Sequence, residues 1–208
     1  MTSVVVLDYG SGNLRSAERA VARTGAEVRV TADLAAAAAA DGLVVPGVGA
    51  YAACMAGIDA LGAGPVIAER VAAGRPVLGI CVGMQILFDA GREHGIETKG
   101  LGLLPGVVTR LHAARVPHMG WNTVDVPAGS VLLAGLPPQS RFYFVHSYAA
   151  SDLAVLRQAG ARVTTASHDL PFAAAVELGA LSAAQFHPEK SAGTGFALLR
   201  NWVAGLRR

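Results

Sequence analysis

The stretch Pro76-Val77-Leu78-Gly79-Ile80-Cys81-Val82-Gly83-Met84-Gln85 sets the frame for the rest of the chain. Residues 76–80 form an apolar run of strand length. The run then passes through a cysteine flanked by glycines into a stretch of helical character from Val82. A strand that turns directly into a helix is the opening of a β-α unit. The same order recurs upstream. Ser3–Leu7 reads as a strand, followed by Leu14, Ala17 and Val21 on one helical face that Gly25 can end. Glu27–Thr31 is a second strand, Asp33 can cap an alanine-rich helix through Ala40, and residues 43–45 are a third strand. A helical stretch from about Tyr51 and another ending at Gly74 lead back to Pro76. Strands alternating with helices over short connections predict a mainly parallel sheet covered on both faces.

Beyond this unit the pattern changes. Over residues 91–140 glycine and proline recur and helical periodicity fades, which predicts turns, short strands and loops. Arg141–His146 and residues 162–166, 172–177 and 181–186 then read as strands, some of them antiparallel. Phe196, Leu199, Val203 and Leu206 recur at three and four, so an amphipathic helix is expected to close the chain. There is no internal repeat, and one α/β domain over residues 1–208 accounts for the whole pattern.

Composition narrows the function classes. Hydrophobic residues make up 52% of the 208 and charged ones 15%, which supplies a core and excludes disorder. Lys plus Arg number 17 against 15 Asp plus Glu, so no electrostatic pull toward nucleic acid or an anionic membrane is expected. Mean hydropathy is high at +0.43. Yet the uncharged run over residues 42–58 is broken by Pro46, Gly47, Gly49 and Gly57, and is shorter than the roughly 20 residues a bilayer requires. No basic residue precedes Val4-Val5-Val6-Leu7, so that run is expected to be a strand and not a signal peptide. Cys54 and Cys81 form no Cys-x-x-Cys pair, which fits a reducing, cytoplasmic setting and offers no zinc framework.

In open α/β sheets ligands bind outside the carboxyl ends of the strands. Gly10-Ser11-Gly12-Asn13 lies at the first such end. It begins like a dinucleotide fingerprint, but the required third glycine falls at Arg15, so a tight strand-to-helix turn is expected. Gly79-Ile80-Cys81-Val82-Gly83 has the form Gly-x-nucleophile-x-Gly of a strained elbow. Cys81 would sit where a helix begins and unpaired amides favour a thiolate, with the Val82 N–H facing a developing oxyanion. A free cysteine is more ordinarily a buried, inert hydrophobe, and Cys54 in Ala52-Ala53-Cys54-Met55 fits that description. The glycines of Pro46-Gly47-Val48-Gly49 let backbone approach a ligand, making the N–H of Val48 or Gly49 a candidate second oxyanion donor.

A histidine completes the set. In Gln185-Phe186-His187-Pro188-Glu189-Lys190, Pro188 biases His187 toward an extended conformation, in which residues two apart share a side. Glu189 can then hold the imidazole tautomer, the orienter's part in a nucleophile–base–carboxylate triad. The alternative pair His168-Asp169 diverges in a strand and precedes a turn at Pro171, and His94, His112, His118 and His146 lack a carboxylate at comparable spacing. No ligand cluster for a metal is visible.

Together these residues resemble the class I glutamine amidotransferases and, within them, the glutaminase subunits of imidazole glycerol phosphate synthase. The likeness runs from Asp8-Tyr9-Gly10-Ser11-Gly12-Asn13 to the end of the chain. It takes in Pro46-Gly47-Val48-Gly49-Ala50, the cysteine elbow, Lys99-Gly100-Leu101-Gly102, Pro117-His118-Met119-Gly120-Trp121-Asn122 and Gln185-Phe186-His187-Pro188-Glu189-Lys190-Ser191. The resemblance implies a flavodoxin-like α/β domain with helices on both faces of a mainly parallel sheet and extra antiparallel strands in the C-terminal half. It implies a Cys81–His187–Glu189 triad acting on L-glutamine, with Gly49, Gln85 and the backbone near Ser147 and Tyr148 holding the substrate, and no metal or organic cofactor. It also implies a heterodimer with a (βα)8-barrel synthase, with Asn13, Met119, Trp121 and Lys190 near the partner surface. That synthase would take the ammonia and make imidazole glycerol phosphate and an aminoimidazole carboxamide ribotide for histidine biosynthesis. The competing readings are a glutaminase subunit serving pyridoxal phosphate or anthranilate synthesis, and a catalytically silent partner-binding scaffold. The chain departs from the family pattern at Val82, Tyr51 and Ala149, where leucine, phenylalanine and an aromatic residue are usual.

Overall fold

The computed structural model describes residues 1–206. Its first part is a run of β-α units: β1 (Ser3–Leu7), α1 (Leu14–Ala22), β2 (Glu27–Thr31), α2 (Leu34–Ala39) and β3 (Gly42–Gly47), then α3 (Tyr51–Leu61) and α4 (Ala63–Ala72). β4 (Val77–Cys81) follows and turns directly into α5 (Val82–Gln85). The Asp33 carboxylate accepts from the N–H groups of Ala35 and Ala36, the N-cap role its position called for. β3 and β4 are buried along their whole length, as strands covered on both faces must be. The helix expected from Val82 is a single turn, because the chain leaves at Ile86 to enter β5 (Phe88–Glu93).

β6 (Ile96–Lys99), β7 (Leu104–Arg110), β8 (His118–Thr123), β9 (Arg141–His146), β10 (Tyr148–Ala150) and α6 (Leu153–Gln158) come next. β11 (Arg162–His168), β12 (Leu170–Leu178), β13 (Leu181–Ala184), a 3-10 turn at Pro188–Lys190 and α7 (Ala192–Gly205) complete the order. The central 7-stranded sheet runs β11-β12-β13-β4-β3-β1-β2. From β13 to β2 neighbours are parallel, while β11 and β12 form the antiparallel edge anticipated for the C-terminal half. α1 packs on α7, and α2 and α3 pack on α4. A 4-stranded sheet, β10-β7-β5-β6, and the β8-β9 pair stand apart from the main sheet. The strands of the smaller sheet were not individually legible. β6 is almost wholly exposed and β5 ends in Arg92 and Glu93, so neither alternates as a half-buried strand does. Among the described residues no single helix is long and apolar enough to cross a membrane, and α3 and α4 pass together only as a pair bent by 89°.

One buried cation ties the helical layer to the sheet. Arg70 of α4, 2% exposed, donates through Nη1 to the carbonyls of Ala37, Ala38 and Ala40 and through Nη2 to those of Asp41 and Pro76. The carbonyls at the end of α2 have no partner within the helix, so the guanidinium caps that terminus. Burial, with Arg75 nearby, pulls the Arg70 pKa down to about 10. Replacing it takes this donor from the Ala37 and Ala38 carbonyls, while those of Ala40 and Pro76 keep donors in Arg75 and the Leu43 N–H. R70M is expected to lower unfolding free energy by about 2–4 kcal/mol, read by urea denaturation. A variant as stable as the parent would show that the cap contributes nothing.

Candidate active site

The site is assembled at the carboxyl ends of the parallel strands, where such sheets place ligands. Gly47 at the end of β3 pairs with Cys81 at the end of β4. There α5 lies directly against β3. A Cβ on Gly83 would overlap the Val45 carbonyl, and one on Gly47 would overlap the backbone of Val82 and Gly83. Cys81 joins strand to helix with φ 56° and ψ −116°, a region L-residues rarely enter. Strain of that kind costs on the order of 1–3 kcal/mol and persists where the surroundings enforce it. The turn places the buried Cys81 at the N-terminus of α5, where by position the Val82 N–H has no intrahelical acceptor. Both cysteines are free thiols. Burial raises the pKa of Cys54, whose Sγ lies 3.4 Å from the Val48 carbonyl.

His187 lies in the loop that follows β13, the neighbour of β4 on the other side from β3. It lines the same cavity as Cys81 and interacts with that side chain. His187 is extended (φ −100°, ψ 97°), as Pro188 requires. The chain then turns into the 3-10 segment and does not continue extended, so Glu189 arrives by that turn and not by strand alternation. Its Oε1 is 2.7 Å from His187 Nδ1, with both side chains almost fully buried. Burial disfavours the charged imidazole, but Cys81 and Glu189 outweigh it and raise its pKa to about 9.

Other predicted residues fall in or beside a cavity of ≈ 230 Å³ lined by Val48, Gly49, Val82, Gln85, Ser147 and Tyr148. Gln85 Nε2 donates to the Tyr148 carbonyl at 2.8 Å and to Gln185 Oε1 at 3.0 Å, which commits both its hydrogens. The Val48 N–H does not face the cavity as a donor. It is engaged by Ser11 Oγ at 3.0 Å, which leaves the Gly49 N–H as the other candidate donor of that loop. Asn13, a partner-surface residue by resemblance, donates to Glu189 Oε1 at 2.7 Å. Lys190 is exposed and lines the cavity. Among the described residues no group of three His, Cys, Asp or Glu could hold a metal ion.

Three contributors escaped the sequence reading. Glu93 lines the cavity, and its Oε2 accepts from the Tyr51 N–H at the start of α3. Gln185 Nε2 lies 3.9 Å from Cys81 Sγ. His146 also lines the cavity. Its Nδ1 is 3.0 Å from the Tyr148 carbonyl, which can only accept, and its Nε2 is 3.0 Å from His118 Nδ1. His118 Nε2 meets Asn122 Nδ2 at 3.2 Å. Each ring is thereby a neutral imidazole with its hydrogen on Nδ1. Burial lowers the pKa of His118 to about 4 and of His146 to about 3. Only for Gln185, inside the His-Pro-Glu motif, was there any signal to find.

The family model for glutamine amidotransferase class-I matches residues 5–205. The chain belongs to the class I glutamine amidotransferases. It is 64% identical to the imidazole glycerol phosphate synthase subunit HisH of Mycobacterium bovis and 62% identical to that of Nocardia farcinica, covering 98% of each chain in both comparisons. Among solved structures, a putative GMP synthase component from Thermoplasma acidophilum superposes with a TM-score of 0.75 at 21% identity, over 100% of this chain and 94% of that one. At that identity the likeness is one of fold.

In this amidotransferase the outer face beside the cavity is apolar. Met119 and Trp121 on β8 are 67% and 50% exposed, and Trp121 meets Tyr143 edge-on at 6.0 Å. They pair across the strands with Val145 and Tyr143, and Val145 lines the cavity.

The histidines should separate in a titration followed by NMR. His187 is protonated in the folded chain up to about pH 9, against an ordinary 6.5. Its stabilising contribution is complete below the unfolded value and is lost as pH rises through the folded one. His118 and His146 run the other way, contributing above 6.5 and losing that contribution as pH falls toward their lowered values. E189Q removes a charge that favours the imidazolium, so the His187 transition should move to lower pH. An unshifted transition in that variant would show that Glu189 does not act on the ring.

Proposed function

We propose that the chain is the glutaminase subunit of an imidazole glycerol phosphate synthase in histidine biosynthesis. It hydrolyses L-glutamine to glutamate and ammonia and passes the ammonia to a (βα)8-barrel synthase partner. The observation that carries the reading is the 2.7 Å contact between Glu189 and His187, on an imidazole that shares a cavity with Cys81 at a strained elbow. The near-full-length likeness to HisH subunits supplies the pathway.

The Cys81 thiolate attacks the side-chain carbonyl carbon of glutamine, and the charge that develops on oxygen is met by the Val82 N–H. His187, held as the imidazolium, gives its proton to the departing nitrogen, which leaves as ammonia. The resulting thioester is hydrolysed by water that His187, now neutral, deprotonates. Glutamate leaves and the thiolate–imidazolium pair is restored. Glu189 keeps the Nδ1 hydrogen in place throughout. Glu93 supplies a carboxylate for the substrate's ammonium, and the Ser147–Tyr148 backbone forms the opposing wall. Each oxyanion donor is worth about 10²–10³ in rate. With the Val48 N–H engaged by Ser11, the Gly49 N–H is the candidate left in that loop for a second donor. Met119 and Trp121 give the partner an apolar anchor, with Lys190 beside it at the cavity.

C81A in the assembled complex should lose glutamine-dependent synthesis by at least about 10³-fold. Synthesis from added ammonium salt should persist at the parent rate, because that route bypasses the sulfur. Glutamine-dependent turnover that survives C81A would overturn the assignment.

A further inference from the structure

We propose that Asn13 is a positioning residue for the triad, its side-chain amide selecting and fixing the oxygen of Glu189 that faces His187. The inference rests on the Cys81–His187–Glu189 reading and extends it by one residue.

Asn13 occupies the N-cap position of α1, where an asparagine ordinarily turns its side chain back to accept from the first helical amides. Here it makes no such bond. Its backbone is left-handed, with φ 67° and ψ 14°, a conformation asparagine tolerates better than most residues. Its Nδ2 instead reaches across 176 positions of sequence to donate to Glu189 Oε1 at 2.7 Å. That oxygen is also the one 2.7 Å from His187 Nδ1. Glu189 Oε2 is buried and has no hydrogen-bonding partner among the described residues. The Glu189 side chain is 2% exposed, so bulk water does not orient it either.

A carboxylate has two equivalent oxygens, and a half-turn about its last torsion exchanges them. With a single donor from His187 the group can rock or rotate, taking the imidazole with it. A second donor on the same oxygen, from a different direction, fixes both the choice of oxygen and the plane of the group. Cys81 and Glu189 act on His187 directly and His146 is charge-coupled to it, while Glu93 and Lys190 line the same cavity. Asn13 adds a neutral donor to this set without adding charge. The tight loop after β1 thereby serves the catalytic centre directly.

The test uses the complex with the barrel synthase at saturating partner, and compares N13G, N13D and C81A with the parent. Glycine accepts φ 67° without strain and removes only the side chain. Aspartate keeps the shape and also tolerates this backbone, but it has no N–H and sets a carboxylate against a carboxylate. N13G should lower kcat for glutamine on the order of ten- to a hundredfold, short of the about 10⁴ that follows when a triad orienter is itself impaired. KM should stay within about twofold and ammonia-dependent synthesis should be unchanged. The limb of the pH profile set by His187 should move to lower pH, as the freed carboxylate spends less time against Nδ1. N13D should be slower than N13G. A merely structural role predicts the reverse order, since aspartate preserves packing that glycine loses. Parent-like kcat in N13D overturns the proposal. So does a loss in N13G that appears in KM, in ammonia-dependent synthesis or in affinity for the partner, the pattern of a surface contact. Should N13D not fold, the kcat–KM split and the pH limb of N13G decide alone. C81A separates the two levels. If it retains glutaminase activity the triad reading falls, whereas an inactive C81A beside normal N13G and N13D removes only Asn13.

Discussion

A single helical turn rests on the end of a neighbouring strand with no side chain between them. Gly47 and Gly83 allow that contact, since a Cβ on either would run into backbone. At that close approach Cys81 holds a positive φ of 56°, and the residue lines the cavity. The residues after Gly47 then pass beside Val82, because β3 and β4 are in register there. β13 pairs with the other edge of β4, Leu181 opposite Val77 and Ala184 opposite Ile80, and delivers His187 from that side. The sulfur, the first helical amide and the imidazole thus converge because three adjacent parallel strands end at one level. The strain at Cys81 is sustained by the burial of β3 and β4 along their whole length.

The parallel half of the fold was legible because β1, β3 and β4 are apolar runs, β2 alternates valines with polar residues, and its helices are periodic. Ser3–Leu7 and Glu27–Thr31 coincide with β1 and β2, and Asp33 caps α2 as its residue type suggests. The small sheet was not legible. Its strands mix glycines with exposed charges, and β6 has almost no buried side chain, so the two-residue alternation that marks a strand is missing. In the site, the cysteine and the His-Pro-Glu pair were readable because each carries its backbone constraint in the neighbouring residue, glycine for one and proline for the other. The route to Glu189 was misjudged, for a proline that extends its predecessor can also begin a 3-10 turn.

What remained hidden depends on residues far apart in sequence. Nothing near Asn13 indicates that its amide meets residue 189, and nothing near Ser11 indicates that its hydroxyl meets the Val48 amide. Glu93 sits in an unrecognised strand, at a cavity built by loops from elsewhere. His118 and His146 have no carboxylate neighbour because they pair with each other across β8 and β9. Such polar partners are chosen by tertiary packing, and a local pattern carries no trace of them.

The two kinds of histidine divide the work of the site. His187 keeps a proton because a buried carboxylate and the sulfur flank it. His146 stands at the same cavity yet is held neutral by burial, with its Nδ1 hydrogen on the Tyr148 carbonyl. A second imidazolium there would repel the first and would lose the acceptor nitrogen that His118 needs. The same Tyr148 carbonyl takes a hydrogen from Gln85, so the wall beside the cysteine is fixed by two neutral donors. Neither donor changes protonation near pH 9, where His187 does. The wall therefore keeps its shape across the range in which the imidazole gains and loses its proton, and the alkaline loss of protonation falls on the catalytic pair rather than on the substrate-binding surface.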